Sequence, residues 1–193
     1  MNPWIAKAIL LASNVAMIAI RAPHGQRSRA VAIAQDRRGP LETALLAFAM
    51  LGFLLPFAWM ATSWLSFADY PSHLMPLLLG TTCLAAGLWL FHRSHADLGT
   101  NWSITLQVRA NHSLVTRGVY AHVRHPMYSA LFLYSIGQAL ALPNWLAGAS
   151  YLVPFTLLFA LRVGAEERMM LDEFGAEYSA YAARTKRIIP GVW

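Results

Sequence analysis

The sequence holds a single cysteine and little charge of either sign. Only 12% of its 193 residues are Asp, Glu, Lys or Arg, about half the share of a soluble domain. Cys83 lies inside an apolar run, which excludes disulfides and leaves redox chemistry without a second thiol. No glycine-rich dinucleotide fingerprint, internal repeat or low-complexity tract is present. No small-residue cleavage signal follows the first apolar stretch, so that stretch reads as an anchoring helix and not as a leader. His122 and His125 lack a second histidine pair or a thiolate at zinc-finger spacing, so no metal site is expected.

Apolar length is what the chain has instead. Hydrophobic residues make up 57% of it, and the mean hydropathy of +0.43 is spread over several long runs. The pattern predicts an all-α integral membrane protein of one domain over residues 1–193. About five transmembrane helices are expected: Pro3 to Ile20, Pro40 to about Trp64, Met75 to Phe91, Pro126 to about Leu142, and Trp145 to about Val163. Pro143-Asn144 would turn the last two into a hairpin. Gly80 and Gly87 are spaced for close packing of the third helix on a neighbour. Beyond Arg162, Met170, Phe174, Tyr178 and Tyr181 recur at helical spacing among charges, predicting an amphipathic helix interrupted near Gly175.

The formal charge of +6 would suggest nucleic acid in a soluble protein. Here the cations lie beside the apolar segments, so no nucleic-acid partner is expected. Fourteen of the fifteen Lys and Arg fall in the connections after helices one and three and in the tail from Arg162. The other connections hold none. The positive-inside rule therefore puts the N-terminus outside, and the two polar clusters and the C-terminus in the cytoplasm.

The first cluster runs from Gly118 to Tyr128 and the second from Arg162 to Glu167. Taken singly, their residues are compatible with interface positions and helix starts. Together they form a pattern: His112-x-Leu-Val115, Gly118-x-Tyr120 and Arg124-His-Pro-x-Tyr128, then Arg162-x-x-x-Glu166-Glu167 after a hairpin. The tail adds Glu173-Phe-Gly-Ala-Glu-Tyr178, Tyr181 and Arg187-Ile-Ile-Pro190. This composite, from about Asp97 to Trp193, resembles the isoprenylcysteine carboxyl methyltransferase family, whose paired glutamates recur in the related phospholipid methyltransferases.

The resemblance implies S-adenosylmethionine as methyl donor, S-adenosylhomocysteine as product and a cofactor pocket on the cytosolic side. By matched position, Gln107, His112, Ser113, Leu114, Val115, Gly118, Tyr120, His125, Pro126, Met127 and Tyr128 would line that pocket. Arg162, Glu166 and Glu167 would form the catalytic group, with Glu166 also facing the cofactor and Arg162 facing the substrate. The acceptor would be lipophilic and enter from the bilayer.

Arg162 bears on the acceptor's chemistry. A carboxylate is already ionised at neutral pH and needs an orienting cation, whereas an amine must first lose a proton to a base. An isoprenylcysteine-like carboxylate fits best. Prenylated protein termini, free isoprenoid or fatty acids and phospholipid amines all stay open, as does the oligomeric state. A sterol-reductase-like enzyme using NADPH and a non-enzymatic membrane scaffold are the alternatives; the first predicts NADPH binding and the second binding of neither nucleotide.

Overall fold

The computed structural model describes residues 3–29, 33–36, 39–99, 107–109 and 113–192. Its helices are α1 (Pro3–Arg29), α2 (Pro40–Ala61), α3 (Leu74–Leu98), α4 (Pro126–Ala141), α5 (Trp145–Ala149) and α6 (Leu152–Arg184). Short 3-10 turns at Ser66–Ala68 and Gly118–Ala121 lie between them. The helical class holds, with one addition. Strands β1 (Ile33–Asp36) and β2 (Gln107–Arg109) pair antiparallel, Ile33 opposite Arg109 and Asp36 opposite Gln107. These strands come from the connections after α1 and α3. At three and four residues they are too short for alternation to betray them in the sequence.

Among the described residues four stretches, not five, are long and apolar enough to cross a membrane: Trp4–Arg27, Pro40–Ala61, Leu74–Leu98 and Trp145–Arg184. The expected fourth span, α4, has 16 residues and so measures only about 24 Å. The expected fifth span starts at Trp145 as predicted, capped by the Asn144 side chain, which accepts from Ala147 N. It breaks after Ala149, and α6 then runs from Leu152 past the apolar segment to Arg184, with a non-helical φ of 52° at Gly175. The outer helices also outrun their apolar lengths. α1 continues to Arg29 and α3 to Leu98, well past Ile20 and Phe91.

α4 is held on two sides by different means. Toward α3 the contact is backbone on backbone. A Cβ built on Gly80 would lie 2.6 Å from Ala141 N, and one on Gly137 would lie 2.7 Å from Leu84 N. Small residues permit the approach that gives membrane helices their van der Waals attraction. Toward α6 the contact is aromatic. Phe132 stacks edge-on to Phe155 at 5.0 Å and to Phe159 at 5.3 Å, and Tyr128 meets Phe159 at 5.0 Å. Leu10, Leu84, Phe91, Tyr134 and Phe155 are almost wholly buried between the helices.

Gly80→Ala should therefore destabilise the protein by about 1–3 kcal/mol, the usual cost of overpacking. Thermal unfolding in detergent measures it, and an unchanged midpoint would show that α3 and α4 do not touch there.

The end of the bundle that holds the α2–α3 and α4–α5 connections is closed by polar contacts. Asp69 Oδ1 accepts from Trp59 Nε1 and from Asn144 Nδ2, each at 2.7 Å. Tyr70 OH donates to Leu142 O at 2.8 Å. The opposite end gathers the start of α2, the end of α3, the start of α4 and the middle of α6. It is there that the two polar clusters lie.

Candidate active site

Pro126 occupies the first turn of α4, where its fixed φ and missing N–H cost nothing. His125 precedes it as the N-cap, with φ −125° and ψ 58°. The tail after α6 fixes this approach: Arg124 N donates to Lys186 O at 2.7 Å and His125 N to Arg187 O at 2.9 Å. Ser129 Oγ adds a bond to Ile188 O at 2.7 Å. The end of the chain is thus laced over the stretch that opens α4.

The imidazole of His125 then sits between the paired glutamates. Its Nε2 is 3.4 Å from Glu167 Oε1 and its Nδ1 is 3.7 Å from Glu166 Oε2. Two clusters 34 residues or more apart in the sequence are one site in the fold.

The two glutamates have different surroundings. Glu167 is held at both oxygens. Oε1 accepts from Arg124 Nη2 at 2.7 Å and Nε at 3.0 Å, and Oε2 from Arg187 Nη2 at 2.8 Å and Nε at 3.1 Å. Arg124 Nη1 also donates to the carbonyls of Ala182 and Thr185, at the end of α6. Forked, charge-assisted bonds of this kind fix orientation as well as adding energy. Glu166 instead turns toward Arg162, whose Nη2 lies 3.3 Å from Glu166 Oε1 and 3.5 Å from Glu42 Oε1. Arg162 and Glu42 are each only 7% exposed. In this group Glu166 Oε2 and Arg162 Nε are buried with no hydrogen-bond partner among the described residues.

The turn ahead of His125 is built by a different acid. Gly118 has φ 61°, and a Cβ there would lie 2.1 Å from Asp97 Oδ2. That same oxygen accepts from Val119 N at 2.9 Å. Gly118 is thus required by the end of α3, whether or not a cofactor reaches it. Tyr120 is buried, its carbonyl accepting from Tyr181 OH at 2.6 Å. Burial pushes the Tyr120 hydroxyl well above its ordinary range, so it stays protonated at any physiological pH.

The remaining predicted residues are placed as follows. Tyr128 faces the site, its ring 5.6 Å from His125, and Met127 packs on the main core. Ser113 is exposed, and Leu114 and Val115 are half-buried in the irregular segment before the turn. Gln107 lies in β2, and His112 lies outside the described residues. Met170 and Phe174 are half-buried, whereas Tyr178 and Tyr181 are buried against the site.

Sequence reasoning missed Glu42 and Asp97 as parts of the site, and gave Arg124 and Arg187 a place in the motifs but no role. Glu42 had a sufficient ordinary account as an acid in the first turn of a helix. The available signal was its position at the head of an apolar span, where an ionisable residue demands a partner. Among the described residues no three His, Cys, Asp or Glu side chains are grouped to hold a metal ion.

The half of the chain that carries these residues is similar to known proteins of one family. Residues 78–172 match the family model described as the isoprenylcysteine carboxyl methyltransferase family. Protein-S-isoprenylcysteine O-methyltransferase B of Arabidopsis thaliana is 31% identical over 115 residues, covering 58% of this chain and 58% of the relative. The Homo sapiens protein-S-isoprenylcysteine O-methyltransferase is 37% identical over 94 residues, covering 48% of this chain and 33% of the relative. The solved structure of a eukaryotic intramembrane Ras methyltransferase, an isoprenylcysteine carboxyl methyltransferase without a monobody, superposes with a TM-score of 0.54 at 28% identity. That match covers 81% of this chain and 54% of the other. The chain thus spans about half the length of the solved structure and 58% of the plant relative.

Proposed function

We propose that the chain is a member of the isoprenylcysteine carboxyl methyltransferase family, whose model it matches over residues 78–172, and that it is a membrane-embedded methyltransferase of a single domain acting on a lipophilic carboxylate. The observation that carries this reading is the meeting of His125 with Glu166 and Glu167 beside a buried Arg162. The proposed methyl donor is S-adenosylmethionine, which when bound supplies a methyl carbon on a cationic sulfur. The residues suit it. Buried Glu166 Oε2, without a hydrogen-bond partner, matches an amino acid's ammonium group. Tyr120, His125, Pro126 and Tyr128 would wall the pocket, and burial of the surrounding side chains would keep water out during transfer.

Arg162 would hold the acceptor's carboxylate, offering the buried Nε that has no partner. Charge supports the acid over an amine. Arg124, Arg162 and Arg187 offset Glu42, Glu166 and Glu167, so the formal charges of these six ion-paired residues cancel. A donor with one net positive charge and an acceptor with one negative charge preserve that neutrality. An amine acceptor leaves an uncompensated positive charge in a poorly solvated place. Glu167, with both oxygens already taken, orients His125 in this reading and does not itself meet the substrate.

The cation distribution supports a cytoplasmic position for this end of the bundle, with the acceptor's apolar tail arriving from the bilayer in this reading. Thermal shift in detergent tests the cofactor class. S-adenosylhomocysteine at 100 times its dissociation constant should stabilise the protein by about 2.7 kcal/mol, with no effect of NADPH. Stabilisation by NADPH alone would instead indicate a reductase, and no response to either a scaffold.

A further inference from the structure

Arg162 is caught between two acids of different origin. Glu166 is one helical turn away on α6, a spacing that any helix provides. Glu42 comes from the first turn of α2, more than a hundred residues earlier in the chain, and lies outside the segment that matches the family model. It is 7% exposed in a chain where acids are scarce, and its Oε1 lies 3.5 Å from Arg162 Nη2. Nothing about starting a helix requires that burial. An acid placed only to favour the helix dipole does as well in solvent.

The consequence is geometric. Both carboxylates engage the same terminal nitrogen, Nη2, from two helices. A guanidinium held at one terminal nitrogen by acids from two helices has less freedom to swing than one held from its own helix alone. Nε, buried and without a hydrogen-bond partner, takes no part in that clamp. Were Glu166 alone to hold Arg162, the same helix would carry both groups. The guanidinium would then follow Glu166 whenever that carboxylate turned to a cofactor ammonium.

We infer that Glu42 is a positioning residue that holds Arg162 in place for an acidic acceptor while Glu166 is engaged elsewhere. This rests on the proposal that Arg162 meets the acceptor's carboxylate. Glu42 touches neither substrate nor cofactor in this account. It sets where Arg162 points and ties acceptor recognition to α2, so that specificity for an acid depends on a helix outside the matched segment.

The test is a comparison of ligand pairs on the purified full chain in detergent. The probes are an N-acetylated prenylcysteine acid and its methyl ester, with binding measured by calorimetry. The parent protein should bind the acid at least tenfold more tightly than the ester. Glu42→Gln should remove most of that preference, raise KM for the acid about tenfold, and leave S-adenosylhomocysteine binding within about twofold. Glu42→Asp, which restores the charge one methylene short, should recover part of the preference.

A Glu42→Gln protein that keeps the parent's acid preference overturns the inference while leaving the role of Arg162 intact. Equal loss of acid, ester and cofactor binding shows a purely structural Glu42 and overturns it as well. A parent that binds acid and ester alike sinks the role proposed for Arg162, and the inference with it.

Discussion

Arg162→Ala should cut kcat/KM for methyl transfer to an acidic acceptor by between about thirtyfold and several thousandfold. The range follows from a loss of roughly 2–5 kcal/mol when a buried, hydrogen-bonded charge is removed from its partner, at about 1.4 kcal/mol per tenfold. Only a small part of the effect should reach cofactor affinity, because the carboxylate assigned to the cofactor is on Glu166. Arg162→Lys should sit between parent and alanine: it keeps the charge but loses the planar fork. Removing the guanidinium also leaves Glu42 and Glu166 without their shared cation at 3.5 and 3.3 Å. The variant's activity is therefore referred to its folded fraction, counted by S-adenosylhomocysteine calorimetry. Activity near the parent's would show that the acceptor's carboxylate lies elsewhere.

The second large effect is on stability. Glu167→Ala should destabilise the protein by about 3–5 kcal/mol, the cost of leaving a buried cation without its partner. Arg124 is the group at risk, with a side chain only 11% exposed and both forks on Glu167 Oε1. Arg187 is 35% exposed and can return to water, so its contribution is smaller. The loss should appear first in the tail. Backbone amides of Arg124 and His125, which donate to Lys186 and Arg187, should exchange with deuterium sooner than those of α3. Glu166→Gln should behave in the opposite way, with weakened cofactor binding and a nearly unchanged melting temperature. Equal melting losses for the two variants would refute the division between an acid that braces the site and an acid that serves it.

Much of this was legible in the sequence because membrane helices state themselves through length. The starts of α2, α4 and α5 fell where Pro40, Pro126 and Asn144 predict them. Gly80 signalled close packing and does pack closely. The two polar clusters were expected to form one site, and His125 does lie beside Glu166 and Glu167.

What was not legible depends on contacts far apart in the chain. Four residues of β1 meet three of β2 across more than seventy positions. Glu42 reads as a dipole acid until Arg162 is placed beside it. The expected fourth span is too short at 16 residues. The stretch from Trp145, long enough to cross, is interrupted at Ser150 and Tyr151, where Ser150 Oγ donates to Gly52 O on α2 at 2.7 Å. Gly118 was assigned to the cofactor on resemblance, and its need to lack a Cβ comes in addition from the Asp97 carboxylate packed against it, a contact between distant parts of the chain.

The most direct measurement of the central claim follows the transferred methyl group. Membranes containing the protein are incubated with S-adenosylmethionine labelled in its methyl group and an isoprenylcysteine acid, and the lipid product is treated with mild base. Esterification of a carboxylate predicts that the label is released as methanol. Label that survives in a base-stable amine, or that never leaves the donor, would contradict a site built around Arg162 to receive an acid.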